Sequence, residues 1–213
     1  RLPRAIRDVY KRQDITTPNT YELAALHTFA QENNLFSTPA WFTVIDALGI
    51  PNVGLRVPLA VTVGSDLVDR GIPQQAIKLL PFFPTILTKL GPEGVLMTSL
   101  LKTDDPVLRD DAERPFVLAR NLAAAESTGD GGLGIGGLYV RLFPVEKVLK
   151  PEEVVSVNGI GDTFCGALAH ALSQGKRIQD IVAFAQRAAG LSLRSREAVS
   201  PELKGLRGVD AKN

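Results

Sequence analysis

Gly159, Ile160, Gly161 and Asp162 form one short run between an apolar stretch and a strongly apolar helical pattern. Glycines on a turn that opens a helix let successive backbone N–H groups converge. The helix N-terminus adds about half a positive charge at the same place. Such a nest takes a phosphate oxygen or a developing negative charge. Asp162, at the first helical turn, puts a carboxylate into that space. Like charges repel, so phosphate binding alone does not account for it. A carboxylate that removes the proton of a hydroxyl attacking the phosphate does. The plain alternative is that Asp162 caps the helix while the glycines serve a tight turn. Local pattern leaves those two readings even.

Two further patterns carry polar groups at suggestive spacing. Asn19 and Glu22, in Thr17-Pro-Asn-Thr-Tyr-Glu22, have the spacing of a capping box, in which each side chain satisfies the other residue's backbone N–H. Taken alone, capping is the better reading of that pair; a second role for the same two side chains is compatible with it. Gly91-Pro-Glu-Gly94 is a turn between two apolar runs, and Lys89 stands just before it.

These residues need elements to hold them. Helical spacing runs from Asn19 through Leu23, Leu26 and Ala30. A second helix is capped by Ser37 or Thr38, starts with Pro39, carries Trp41, Val44, Ile45 and Leu48 on one stripe, and ends at Gly49. Residues 60–70 and 73–80 also read as helical. Residues 85–90 and 95–100 read as strands joined by the Gly91–Gly94 turn. Residues 103–115 are polar and proline-punctuated, a surface loop. Residues 116–119 and 138–143 read as strands around a Gly-rich excursion, 129–137, and the apolar run 154–157 as a buried strand. A helix then carries Phe164, Leu168, Ala171 and Leu172 and stops at Gly175; the last one carries Ile178, Ile181, Val182, Ala185 and Ala189. Together these predict a three-layer α/β domain.

Composition narrows the class. The 213 residues are 45% hydrophobic, enough for one α/β core. A net charge of +1 gives no electrostatic case for nucleic acid, and no apolar run reaches the roughly 18 residues that a membrane span needs. The single Cys165 excludes an internal disulfide and a cysteine-rich metal site, so an intracellular, cytoplasmic setting is the default. An organellar one stays open, because residues 1–13 hold five basic residues against one acid. The preferred expectation for that segment is a truncated or non-native leader. Gly132-Leu-Gly-Ile-Gly-Gly137 fits a dinucleotide fingerprint only formally, since the strand-like run follows it rather than precedes it. Cys165, His27, His170 and Trp41 read as packing or surface residues.

The run Asn158–Gly166 resembles the signature of PfkB/ribokinase carbohydrate kinases, D-T-x-G-A-G-D-x-F-x-G. The resemblance assigns Asp162 as catalytic base and Gly159, Ile160 and Gly161 as the anion hole, with Asn158 and Gly166 beside the nucleotide. Thr17–Glu22 is similar to the family's P-N-x-x-E motif, which implies that Glu22, supported by Asn19, organises a water-coordinated Mg²⁺ and the phosphates of ATP. Residues 86–94 resemble the family's strand-turn bordering the nucleotide. There Gly91 and Gly94 align, and Lys89 replaces the usual Thr, exchanging a hydroxyl contact for a lysine–phosphate one. Ser156 and Val157 stand where relatives have Asp and Thr, and that Asp helps bind a monovalent cation, so potassium dependence is doubtful. Residues 185–203 resemble the helix and loop near the adenine.

Within the family, Gly137–Pro144 and Val155–Asp162 look most like eukaryotic pseudouridine-kinase domains, often fused to a pseudouridine-phosphate glycosidase. The implied reaction is phosphoryl transfer from ATP to a hydroxymethyl of a sugar or nucleoside. The implied fold is the three-layer Rossmann-like ribokinase fold without its N-terminal part and lid, residues 14–213 forming the nucleotide-binding portion. The resemblance also allows a homodimer. A non-catalytic nucleotide-binding module, or a kinase for ribose, adenosine or another acceptor, remains the alternative. The family's sugar-holding first half is not identifiable in these residues. The chain alone is therefore expected to bind nucleotide better than it phosphorylates anything, and its parallel sheet to present an unpaired edge.

Overall fold

Asn19 opens the first helix as its spacing requires. In the computed structural model, which describes residues 14–48, 54–121 and 134–206, the Asn19 side chain accepts the Glu22 N–H at 2.9 Å. The Glu22 carboxylate accepts the Asn19 N–H at 2.7 Å in return. Both halves of the capping box are made. The segment expected to be a leader, Gly49, and residues 129–133 of the Gly-rich stretch lie outside the described residues.

The chain divides into two compact units. The first comprises the described residues up to Leu90 and those of Leu96–Leu142; the second comprises Gly91–Val95 and the described residues from Phe143 onward. In the first unit, β1 (Ile15–Thr16) leads into α1 (Thr20–Glu32). Helices α2 (Pro39–Ala47), α3 (Arg56–Val63), α4 (Ser65–Asp69) and α5 (Ile72–Leu79) follow. Thr38 caps α2, its hydroxyl accepting the Trp41 N–H, with Pro39 in the first turn. The single helix expected over 60–70 is instead two, because Gly64 adopts φ +90 between α3 and α4.

Strands β2 (Thr85–Lys89), β3 (Val95–Lys102), β4 (Val117–Arg120) and β5 (Ile135–Phe143) join β1 in a sheet of order β1-β2-β3-β5-β4. β1 is parallel to β2, with Ile15 opposite Thr85, whereas β4 and β5 run antiparallel, with Val117 opposite Tyr139 and a register shift before Ala119. The sheet is thus mixed rather than wholly parallel, and among the described residues β1 lies at its edge. Gly136 and Gly137, expected in a loop, belong to β5. A Cβ at Gly137 would overlap the Ala119 carbonyl of β4, so the glycine lets the two strands approach. Leu23, Leu59, Leu80, Ile86, Leu96 and Leu138 are fully buried in the core of this unit. Each contributes about 1.5–3 kcal/mol by burial. His27 packs its ring on Phe36 at 5.0 Å, and burial, then Lys78, lowers its pKa below 6.5, as suits a packing residue.

The segment 103–115 is not simply a surface loop. It holds one 3-10 turn, Pro106–Arg109, and leads into another at Arg114, and it buries Val107 and Glu113. The Glu113 carboxylate accepts the Tyr139 hydroxyl at 2.7 Å and the Arg141 guanidinium at 2.8 and 2.9 Å. Arg141 lies over the Phe116 ring at 4.4 Å. Burial, then the bond to Glu113, raises the Tyr139 pKa, so the phenol stays a donor. Removing one partner of a buried ion pair costs about 3–5 kcal/mol, and Arg141 keeps 29% side-chain exposure, which places this pair at the lower end. Glu113→Ala is expected to lose about 3 kcal/mol of unfolding free energy in a urea titration. A loss below about 0.5 kcal/mol would mean that the pair holds nothing in place.

In the second unit, α6 (Ile160–Ser173) and α7 (Ile178–Leu193) pack along each other across a turn at Gly175. Phe164, Leu168 and Ala171 of α6 and Ile181, Val182 and Ala185 of α7 are buried, as their spacing predicts. The strand expected over 154–157 is absent. The N–H groups of Val155 and Ser156 both donate to the Leu193 carbonyl, at 2.8 and 3.2 Å, so no strand partner takes them. Val155 and Val157 are exposed. Among the described residues, no helix is long and apolar enough to cross a membrane.

Candidate active site

Gly159 occupies the N-cap position of α6 with φ +74 and ψ 0, a left-handed conformation that costs a side-chain-bearing residue about 1–2 kcal/mol. A Cβ at this position would also overlap the Ala198 carbonyl oxygen. The first helical hydrogen bond runs from Thr163 N–H to the Gly159 carbonyl, 2.8 Å. The amides of Ile160, Gly161 and Asp162 therefore stand ahead of the helical ladder, available to an anion.

Asp162 lies two residues into α6, exposed, and no side chain caps this helix. Among the described residues its carboxylate has no hydrogen-bond or ion-pair partner. The capping alternative does not describe Asp162; what remains of it is the dipole attraction of about 0.3–1 kcal/mol for an acid in a first turn. Gly166 follows one turn later on the same face, and nothing lies within 4 Å of where its Cβ would stand. Asn158 is exposed before the turn, its N–H donating to the Ser156 hydroxyl at 3.2 Å. Half-buried Cys165 sits on the same helix.

The Gly91–Gly94 turn is in the same unit. Gly91–Glu93 makes one 3-10 turn, closed by Gly94 N–H to the Gly91 carbonyl at 3.1 Å. Gly94 has φ +109, and a Cβ there would overlap the Phe143 carbonyl oxygen, which Gln186 of α7 also engages at 2.9 Å. Only a glycine lets this turn seat on Phe143.

Asn19, Glu22 and Lys89 are brought together in the first unit. Lys89 ends β2, forms a bridge with Asn19, and donates its N–H to the Pro18 carbonyl at 2.8 Å. Glu22 lines an open groove of about 600 Å³ with Thr16, Thr17, Pro18, Ala25, Leu26 and Phe29. One Glu22 oxygen is committed to the Asn19 N–H, which leaves the other for a cation's water shell. No cluster of three metal-ligating side chains occurs among the described residues. A single carboxylate suits magnesium, which keeps most of its waters and takes its other ligands from phosphates.

The sequence reading missed Ser192. This hydroxyl is fully buried on α7, 2.9 Å from the Thr163 hydroxyl, next to Asp162. A signal existed: Ser192 continues the stripe of Ile181, Ala185 and Ala188, where a polar residue is out of place.

Residues 137–204 match the family described as pfkB family carbohydrate kinase. Over 196 residues, 91% of its length, the chain is 30% identical to a pseudouridine-metabolizing bifunctional protein of Schizosaccharomyces pombe, of which it spans 23%. A solved ribokinase of Cryptococcus neoformans var. grubii, in complex with ADP, superposes with a TM-score of 0.51 at 18% identity. That match covers 92% of this chain and 45% of the ribokinase. The ribokinase likeness extends to the fold.

Proposed function

We propose, for a chain whose residues 137–204 match the pfkB family of carbohydrate kinases, that the whole protein transfers the γ-phosphoryl group of ATP to a hydroxymethyl of a sugar or nucleoside. One observation carries this reading: an exposed carboxylate, Asp162, with no hydrogen-bond or ion-pair partner among the described residues, sits on the same helical turn as three amides that no other described residue engages. A site built only to hold phosphate gains nothing from that carboxylate. A site that must also deprotonate an attacking hydroxyl requires it.

In this mechanism Asp162 takes the acceptor's hydroxyl proton as the oxygen attacks. The amides of Ile160 and Gly161, with the turn at Gly159, stabilise negative charge on the transferring group. Asn158 and Gly166 flank that turn, and Gly91 and Gly94 form a close-packed turn against which the nucleotide lies. Lys89 supplies a positive charge to the phosphates. Glu22 and Asn19 would hold the hydrated magnesium ion that accompanies ATP, whose contribution is to neutralise phosphate charge. Ser156 and Val157 offer no carboxylate to a monovalent cation, so activity is expected without potassium.

Residues 14–213 would be the nucleotide-binding portion of a cytoplasmic enzyme. The pseudouridine-metabolizing bifunctional relative of Schizosaccharomyces pombe favours pseudouridine as acceptor, and the resemblance to pseudouridine-kinase domains implies a fused glycosidase in the same protein. The test is transfer of labelled γ-phosphate by the full-length protein to pseudouridine, ribose, adenosine and a hydroxymethylpyrimidine. Transfer to pseudouridine well above the other three is expected. Transfer to none of them, with ATP left intact, contradicts the kinase reading.

A further inference from the structure

Asp162 and its glycine turn sit at a helix end, where backbone frays unless something fixes it. Three hydroxyl-bearing residues stand behind that end. Thr163 adjoins Asp162, is 6% exposed, and has its hydroxyl 2.9 Å from that of Ser192. Ser192, at 0% exposure, lies in the last turn of α7. Its oxygen is also 3.4 Å from the N–H of Ser200, a long contact, and Ser200 is 4% exposed. The Ser200 hydroxyl in turn accepts the Glu202 N–H at 3.3 Å. Ser200 closes the loop whose Ala198 carbonyl presses on Gly159.

One buried hydroxyl therefore touches both walls of the site: the helix turn that carries Asp162, and the loop that bears on the glycine turn. Buried hydroxyls cost free energy unless bonded, so this pairing holds one geometry. We propose that Ser192 is a positioning residue of the site, fixing the Gly159–Asp162 turn through Thr163 on one side and Ser200 on the other. Its contribution to turnover rests on the phosphoryl-transfer reading; its contribution to the geometry of the turn does not.

The double variant Thr163→Val, Ser192→Ala separates positioning from mere stability, because it removes both hydroxyls of the 2.9 Å pair and leaves neither orphaned, the one bond lost to a remaining partner being the long 3.4 Å contact from the Ser200 N–H. Its melting temperature is expected within about 4 °C of the unaltered protein, whereas Ser192→Ala alone falls further. Backbone ¹⁵N order parameters at Gly159, Gly161 and Asp162 are expected to drop from about 0.85 to below about 0.6 in the double variant. In the full-length enzyme kcat should fall roughly tenfold or more with the acceptor KM unchanged. Order parameters that stay at the unaltered level in a stably folded double variant overturn the proposal. They do so whether or not the protein turns over any acceptor. An inactive unaltered protein tells against the kinase reading alone, and the order parameters still decide on Ser192.

Discussion

Asp162→Asn in the full-length protein is expected to lower turnover by about 10²- to 10⁴-fold while Mg-ATP affinity stays within about twofold. The substitution is close to isosteric and touches no internal partner, because the carboxylate is exposed and unpaired among the described residues of its unit. Its structural cost is confined to the helix-dipole attraction, about 0.3–1 kcal/mol. A large fall in rate therefore reports on chemistry rather than on folding. Asparagine keeps the size and polarity of the side chain and removes its ability to accept a proton at neutral pH. Removing a carboxylate from beside an anion site also relieves repulsion, so nucleotide binding has no reason to weaken. An Asp162→Asn enzyme with turnover within a factor of three of the parent removes the base assignment.

Gly159→Ala should have the second largest effect, and on binding rather than on the proton transfer step. Two independent penalties meet at this position. The backbone is left-handed, φ +74, which costs alanine about 1–2 kcal/mol. The added Cβ also overlaps a backbone carbonyl, that of Ala198, which cannot swing aside like the end of a flexible side chain. The turn must move, and with it the amides of Ile160 and Gly161. Mg-ATP affinity is expected to fall at least tenfold, about 1.4 kcal/mol, with the helical circular dichroism of the protein retained. An unchanged dissociation constant in a folded Gly159→Ala protein would mean that the turn is not where phosphate binds.

Much of the local geometry is legible in the residues, and the reasons the reading stops where it does are physical. The Gly159–Asp162 turn spans four residues at one helix end, so local rules reach all of it. The same holds for the Asn19–Glu22 capping box, both of whose bonds are made, and for the buried stripes of α6 and α7. Errors arose where a distant partner decides. Residues 154–157 have the apolar composition of a buried strand, yet the amides of Val155 and Ser156 go to Leu193 at the far end of α7. The polar segment 103–115 carries Glu113, whose partners Tyr139 and Arg141 lie on a strand much later in the chain. Residues 60–70 read as one helix, and Gly64, whose φ is positive, splits it in two. Ser192 went unnoticed since a lone serine gains meaning only once Thr163 is seen beside it.

The most direct test of the central claim is calorimetric titration of Mg-ATP into this chain and into the full-length protein, with the Asp162→Asn and Gly159→Ala forms alongside. Saturable one-to-one binding is expected for the parent and for Asp162→Asn, and binding weakened at least tenfold for Gly159→Ala. A folded full-length protein that gives no binding heat, or that binds equally well with alanine at position 159, would contradict the assignment of the Gly159–Asp162 turn as a phosphoryl-transfer site.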